Sequence, residues 1–215
     1  MHAAQTNSEA LLVKFAKIRV YFCERLTPHG DARTPDFRLV ARGVPIICEV
    51  SELRPNPIDL QAQHNLEHYG ISVHYELVGR RLRLKIKEKK GQLTQYRDRD
   101  VATMLLFVQS ERLAGDYLSE DDFQSAMYGL PRASNPTASS IEGHGKNRLF
   151  GPGQCEYISA LTRLDWQGAD DFRFSVYHNY YATVPIDRST LAHPSHRQFV
   201  KAVDPSQGPW GWTEV

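Results

Sequence analysis

The feature that most constrains this chain is residues 101–113, VATMLLFVQSERL. From Val101 to Val108 the run is apolar except for Thr103. A strand with one wet face alternates apolar and polar residues, whereas an unbroken run suits a strand covered on both faces. A strand of that kind belongs in a sheet with packed layers on either side, so helices must come from elsewhere in the chain. A length of 215 residues with 41% hydrophobic residues is enough for one larger domain with a sizeable core.

The remaining pattern supplies those layers. Residues 6–26 read as one helix, capped by Thr6, Asn7 or Ser8, with Leu11, Leu12, Phe15, Ile18 and Phe22 as its apolar stripe. Residues 36–41 and 45–51 are apolar and β-branched and meet at Arg42-Gly43, which predicts a hairpin. A Pro-rich segment containing a short helix follows, and then a short alternating strand over 71–78. Residues 79–96 alternate in part, but Leu82, Ile86 and Leu93 share a helical face, and the helix reading is preferred with Gly91 as its weak point. Residues 119–130 read as a short capped helix, 131–153 as a long Gly/Pro/Ser loop of the functional kind, and 155–164 and 171–179 as a further strand pair before an irregular tail. This order predicts a mixed central sheet flanked by helices in a single domain over 1–215, its core about 8–110.

Bulk properties exclude several classes. The formal net charge is +1, so affinity for nucleic acid must come from a local basic surface. Cys23, Cys48 and Cys155 are too scattered for a disulfide framework or a CxxC metal site. No apolar run reaches membrane-spanning length and no signal peptide is evident, so a cytoplasmic protein without a membrane partner is expected.

The chemistry centres on Asp36 and Glu49. Alternation on a strand puts Ile47, Glu49 and Ser51 on one face and Ile46, Cys48 and Val50 on the other. An acid inside IICEV requires a cation, a donor network or a metal. Asp36 heads the neighbouring strand, and two hard oxygen ligands suit Mg²⁺ or Mn²⁺. The alternative is a pair of acids on an ordinary solvent-facing stripe. Beyond them, Lys85, Lys89, Gln92 and Tyr96 fall on one helical stripe, and the stretch from Arg80 to Lys90 is dominated by basic residues. Arg80, Arg81, Arg83 and Lys90 are candidate phosphate contacts, against the plain alternative of a solvated basic face.

Pro35-Asp36-Phe37 followed by Glu49-Val50-Ser51, with QLTQY on the later helix, resembles the PD-(D/E)XK nuclease superfamily and the Q-x-x-x-Y helix of its RecB-like members. The resemblance is firmest over about residues 34–110. It implies a restriction-endonuclease-like α/β fold and a Mg²⁺- or Mn²⁺-dependent nuclease acting on nucleic acid, with DNA the expected substrate. Asp36, Glu49 and the backbone carbonyl of Val50 would hold the metal, and Gln92 and Tyr96 would position the lysine or the backbone. Ser51 stands where the motif has lysine. In some members a following helix supplies that lysine, and Lys89, or else Lys85, is placed to do so. Failing both, the resemblance implies a non-cleaving module that binds nucleic acid or a protein. The first helix often adds an acid, and Glu9 and Glu24 are both candidates. A homodimer or protein partner is an expectation of the same kind. His64 and His68 at i, i+4 are a weak zinc signal beside an exposed polar helix, and His178 and Asn179 read as hydrogen-bonded core filler.

Overall fold

The computed structural model describes residues 6–27, 34–70, 78–110, 118–130, 145, 147–206 and 211–215. Its centre is one mixed sheet of eight strands in chain order: β1 (Phe22–Arg25), β2 (Phe37–Ala41), β3 (Val44–Glu52), β4 (Ala102–Gln109), β5 (Ala160–Gly168), β6 (Asp171–His178), β7 (His196–Val200) and β8 (Thr213–Glu214). β1–β2–β3 is an antiparallel meander. β4 lies parallel to β3 and β5 parallel to β4, β6 is antiparallel to β5, β7 parallel to β6 and β8 antiparallel to β7. Four α-helices accompany the sheet among the described residues: α1 (Asn7–Ile18), α2 (Pro57–Tyr69), α3 (Arg80–Leu93) and α4 (Glu120–Tyr128). None is long and apolar enough to cross a membrane.

Every residue of β4 is buried, as an apolar run without alternation requires. One layer packs Leu11, Leu12 and Phe15 of α1 against Ile46, Cys48, Met104 and Leu106. The other packs Leu82, Ile86 and Leu93 of α3 and Phe123 and Met127 of α4 against Ile47, Leu105 and Phe107. The two faces of β3 therefore divide as strand alternation demands.

Two segments depart from expectation. Residues 6–26 are not one helix. A capping box of Thr6 and Glu9 starts α1, but it ends at Ile18, and Phe22, placed in the stripe by its spacing, is largely exposed on edge strand β1. The break is at Val20, whose φ of 57° is left-handed. Tyr21 N–H donates to Ala16 O and Val20 N–H to Lys17 O, which is a Schellman ending. The tail also holds strands β7 and β8. Residues 71–77 of the strand expected over 71–78, and residues 131–144 and 146 of the long loop, fall outside the described residues, and Val78 lies in a turn.

α3 starts at Gly79, and the glycine is needed there twice over. Its φ is +69°, and a Cβ would lie 2.8 Å from Asp122 O and 2.9 Å from Ala126 N, both rigid backbone of α4. Gly43 in the β2–β3 turn is also left-handed, at φ +81°, but a Cβ there meets open space. Gly43→Ala should therefore cost only the backbone term, about 1 kcal/mol, and Gly79→Ala clearly more, because helix α4 must move. Equal losses in chemical denaturation would contradict this packing.

Candidate active site

Asp36 stands just before β2, fixed from both sides. Its carbonyl accepts from Leu26 N–H at 2.9 Å, and its Oδ2 accepts from Val50 N–H at 2.8 Å. Phe37 pairs with Cys48, so β2 begins too late to satisfy Val50, and the aspartate side chain takes the place of the missing strand residue. Even-numbered residues of β3 direct their backbone groups toward β2. The Val50 carbonyl therefore lies on the same edge as its N–H, beside Asp36.

Glu49 lies one residue earlier on β3, with its side chain on the α3 face and 1% exposed. Lys89 of α3 donates to its Oε1 at 2.9 Å. Its Oε2 is buried, with no N–H donor, and the Glu49 carboxyl faces that of Asp36, which can accept a hydrogen bond from it only while Glu49 is protonated. The two carboxyl groups approach each other closely. Burial first, and then the Asp36 charge, push the Glu49 carboxyl up to about 7 despite the Lys89 ammonium. Burial likewise raises Asp36, partly offset by the Val50 amide and by Lys89. For Lys89, burial favours loss of the proton, but the bond to Glu49 and the charges of Glu49 and Asp36 outweigh it and the ammonium is held more firmly. Repulsive acids sharing one cation, in a place where an apolar pair would pack without cost, mark a candidate functional site.

Asp36 and Lys89 line an open cleft of about 470 Å³, and Glu49 lies buried behind its wall, in contact with Lys89. The Thr6 cap with Ser8 and Glu9 of α1 lines one side, residues 50–54 another, and Arg81, Lys85 and Lys89 of α3 the third. The last three lie at i, i+4 and i+8, one stripe of the helix. Arg81 is anchored to buried Asp59 of α2 at 2.6 Å, and Asp59 also closes the N-terminal capping box of α2. Lys85 reaches Glu88 at 3.1 Å and remains on the rim. Ser51 lies in the cleft wall on the Glu49 face, without a charge to offer.

Some anticipated residues lie elsewhere. Arg83 is a correction: it is buried, and its guanidinium donates to Ser125 O and Oγ of α4 at 3.2 and 3.0 Å, so it holds the two helices together and does not face a phosphate. Arg80 is exposed and Lys90 half-buried, and neither lines the cleft. α3 ends at Leu93, and Tyr96 sits on the following 3₁₀ turn, packed on the core with Arg99 over its ring at 5.0 Å. Gln92 carries a buried Oε1 without a hydrogen-bond partner, and neither it nor Tyr96 lines the cleft. Of the two candidate acids, Glu9 is in the cleft wall, held by Thr6 N–H at 2.7 Å and by Arg25 at 3.1 Å, while Glu24 is exposed on β1. Asp59 and Arg54 were not anticipated. The sequence marks Asp59 only through the NPID capping pattern. His64 and His68 stack at 4.1 Å on exposed α2, and His178 and Asn179 are buried and hydrogen-bonded.

No family model, curated protein or solved structure matches the chain, so the site is interpreted on its geometry. Among the described residues no group of three or more His, Cys, Asp and Glu converges on one point. The buried Oε2 of Glu49, which no N–H group reaches, together with the Asp36 carboxylate and the Val50 carbonyl is nevertheless a hard-oxygen donor set that fits a divalent cation once Glu49 is ionised.

The raised Glu49 carboxyl has a measurable consequence. Folded, it keeps its proton up to about 7, against 4.5 for an ordinary glutamate. Between those values the folded state binds more protons than the unfolded one, so this group's contribution to stability falls as pH rises. Glu49→Gln removes the titration. Its unfolding temperature should gain on the wild type by several degrees between about pH 5 and pH 8. A pH-independent difference would contradict the buried acid pair.

Proposed function

We propose that the chain is a PD-(D/E)XK-like nuclease that hydrolyses phosphodiester bonds of nucleic acid, with DNA the expected substrate, using Mg²⁺ or Mn²⁺. The observation that carries this reading is the placement of Asp36 and Glu49 together beside Lys89, with a buried Glu49 oxygen that no N–H group reaches. Asp36, Glu49 and the Val50 carbonyl would hold the cation, which when bound activates water and draws charge from the phosphodiester.

The chain's own residues do the rest. Lys89 keeps a full positive charge in a half-buried position, where an ammonium stabilises negative charge building on phosphorus more strongly than it does in open water. It arrives from α3, forty residues after Glu49, and so supplies from a helix the ammonium that Ser51 lacks on the strand. Arg81, fixed by Asp59, and Lys85 on the rim extend the positive wall along α3, where neighbouring phosphates of a chain would lie. The open cleft admits a polymer strand, which a closed pocket would exclude.

A second reading is favoured by one feature. Lys89 bonds directly to Glu49, and Glu9 is occupied by Arg25, so a binding module that never recruits metal would also have its charges balanced. Plasmid and single-stranded DNA incubated with Mg²⁺, Mn²⁺ or chelator separate the two. The nuclease reading predicts metal-dependent cutting, reduced to background in Asp36→Ala and by about two orders of magnitude or more in Lys89→Ala. Nucleic acid that is bound in chelator but never cut would establish the binding module instead. Full activity in Lys89→Ala would remove the lysine from the site.

A further inference from the structure

A second charged cluster lies at the opposite end of the sheet. Arg42 in the β2–β3 turn is eight residues from Val50 along β3, roughly 26 Å at the rise of an extended strand. Three segments meet there: the end of α1, the β2–β3 turn, and the loop before β7. Arg19 donates to Ser195 Oγ at 2.8 Å and Arg42 to Ala192 O at 2.9 Å. Arg19 and His193 meet at Ser195, and the Tyr21 and His193 rings both lie beside the His196 ring, at 6.5 and 4.9 Å, so with Arg42 on Ala192 the four side chains share one patch.

The patch gathers donors and holds no acid. Among the described residues neither arginine has a carboxylate partner, and Arg19 Nε is buried without a hydrogen bond. His193 Nδ1 accepts from the Ser195 backbone N–H at 3.1 Å, so the proton of the neutral ring is on Nε2, which is left as an outward donor. The Ser195 hydroxyl lies 2.8 Å from His193 Nδ1 and accepts from Arg19, which fixes the ring relative to the guanidinium. The ring of Phe15 lies 5.7 Å under the Arg19 guanidinium and supports it.

The backbone is strained where it presents this patch. Val20, between Arg19 and Tyr21, has φ 57°, a left-handed conformation that glycine takes easily and a β-branched residue does not. Arg42 has φ 50° in a turn whose first position ordinarily prefers asparagine, aspartate or glycine. The helix ending at Val20 and the β2–β3 turn thus deliver Arg19, Tyr21 and Arg42 to one cationic patch that has no carboxylate among the described residues, and such a patch suits an anionic ligand.

We propose that Arg19, Tyr21, Arg42 and His193 form a binding site for a phosphate group, independent of the Asp36–Glu49 cleft. Two guanidiniums, an imidazole N–H and a phenol supply directional donors for tetrahedral oxygens. The group is either a terminal phosphate or a phosphodiester of a nucleic-acid backbone. The two sources differ in charge and in the number of free oxygens.

The test is an amide NMR titration of the intact chain with inorganic phosphate and with dimethyl phosphate, at constant ionic strength set by chloride. Saturable shifts at residues 19–21, 42–43 and 193–195, lost in Arg19→Gln and in Arg42→Gln, are expected. Response to phosphate alone assigns a terminal phosphate, and response to both assigns a backbone diester. No saturable shift in the wild type overturns the proposal, as do shifts that persist unchanged in both variants. The cleft is read out separately, because Asp36→Ala should leave these shifts intact.

Discussion

The site depends on one awkward residue, a glutamate inside the most buried stretch of β3. Glu49 cannot be ionised there alone, and the structure answers with a single ammonium from α3 and a second carboxylate that works against it. That arrangement dictates much around it. α3 must lie across β3 so that Lys89 reaches down, which requires the close α3–α4 approach that Gly79 permits. Asp36 must be pinned by the Val50 amide, which requires β2 to stop short. A core optimised for stability alone would put a leucine at residue 49 and relax all of these demands.

The layered fold was legible in the sequence because it follows from burial. The unbroken run of β4 requires covered faces, and the stripe of Leu82, Ile86 and Leu93 decides helix over strand for α3 although RLRLKIK alternates. What was illegible depended on direction or on backbone. The short strand β1 has an exposed pattern with no alternation, and its separation from α1 rests on a left-handed Val20 that no composition announces. The charges of α3 look uniform along the chain, yet Arg81, Lys85 and Lys89 face the cleft while Arg83 turns into α4. That division is set by the packing partner, which is far away in sequence.

The same logic bears on the candidate site. Glu49 stood out because an acid among apolar residues is conspicuous, and Lys89 because the helical period aligns it with Lys85. Its contact with Glu49 spans forty residues and could be expected only from the resemblance. Asp59 was missed because an acid at the third position of a helix already has a local explanation as a cap, which conceals its grip on Arg81. Tyr96 was aligned with Gln92 by a period that the helix does not sustain, since it tightens into a 3₁₀ turn after Leu93, while Gln92, still on the helix, lies beyond the cleft.

The central claim is that the Asp36–Glu49 pair is built to accept a divalent cation and that Lys89 holds its place until one arrives. A titration with Mn²⁺ followed by electron paramagnetic resonance tests this without any assumption about substrate. The account predicts that a single Mn²⁺ binds per chain, that Asp36→Asn and Glu49→Gln abolish binding, and that Lys89→Met tightens it by removing the competing ammonium. A wild-type chain that takes up no Mn²⁺, or one whose uptake is unchanged in Glu49→Gln, would contradict it.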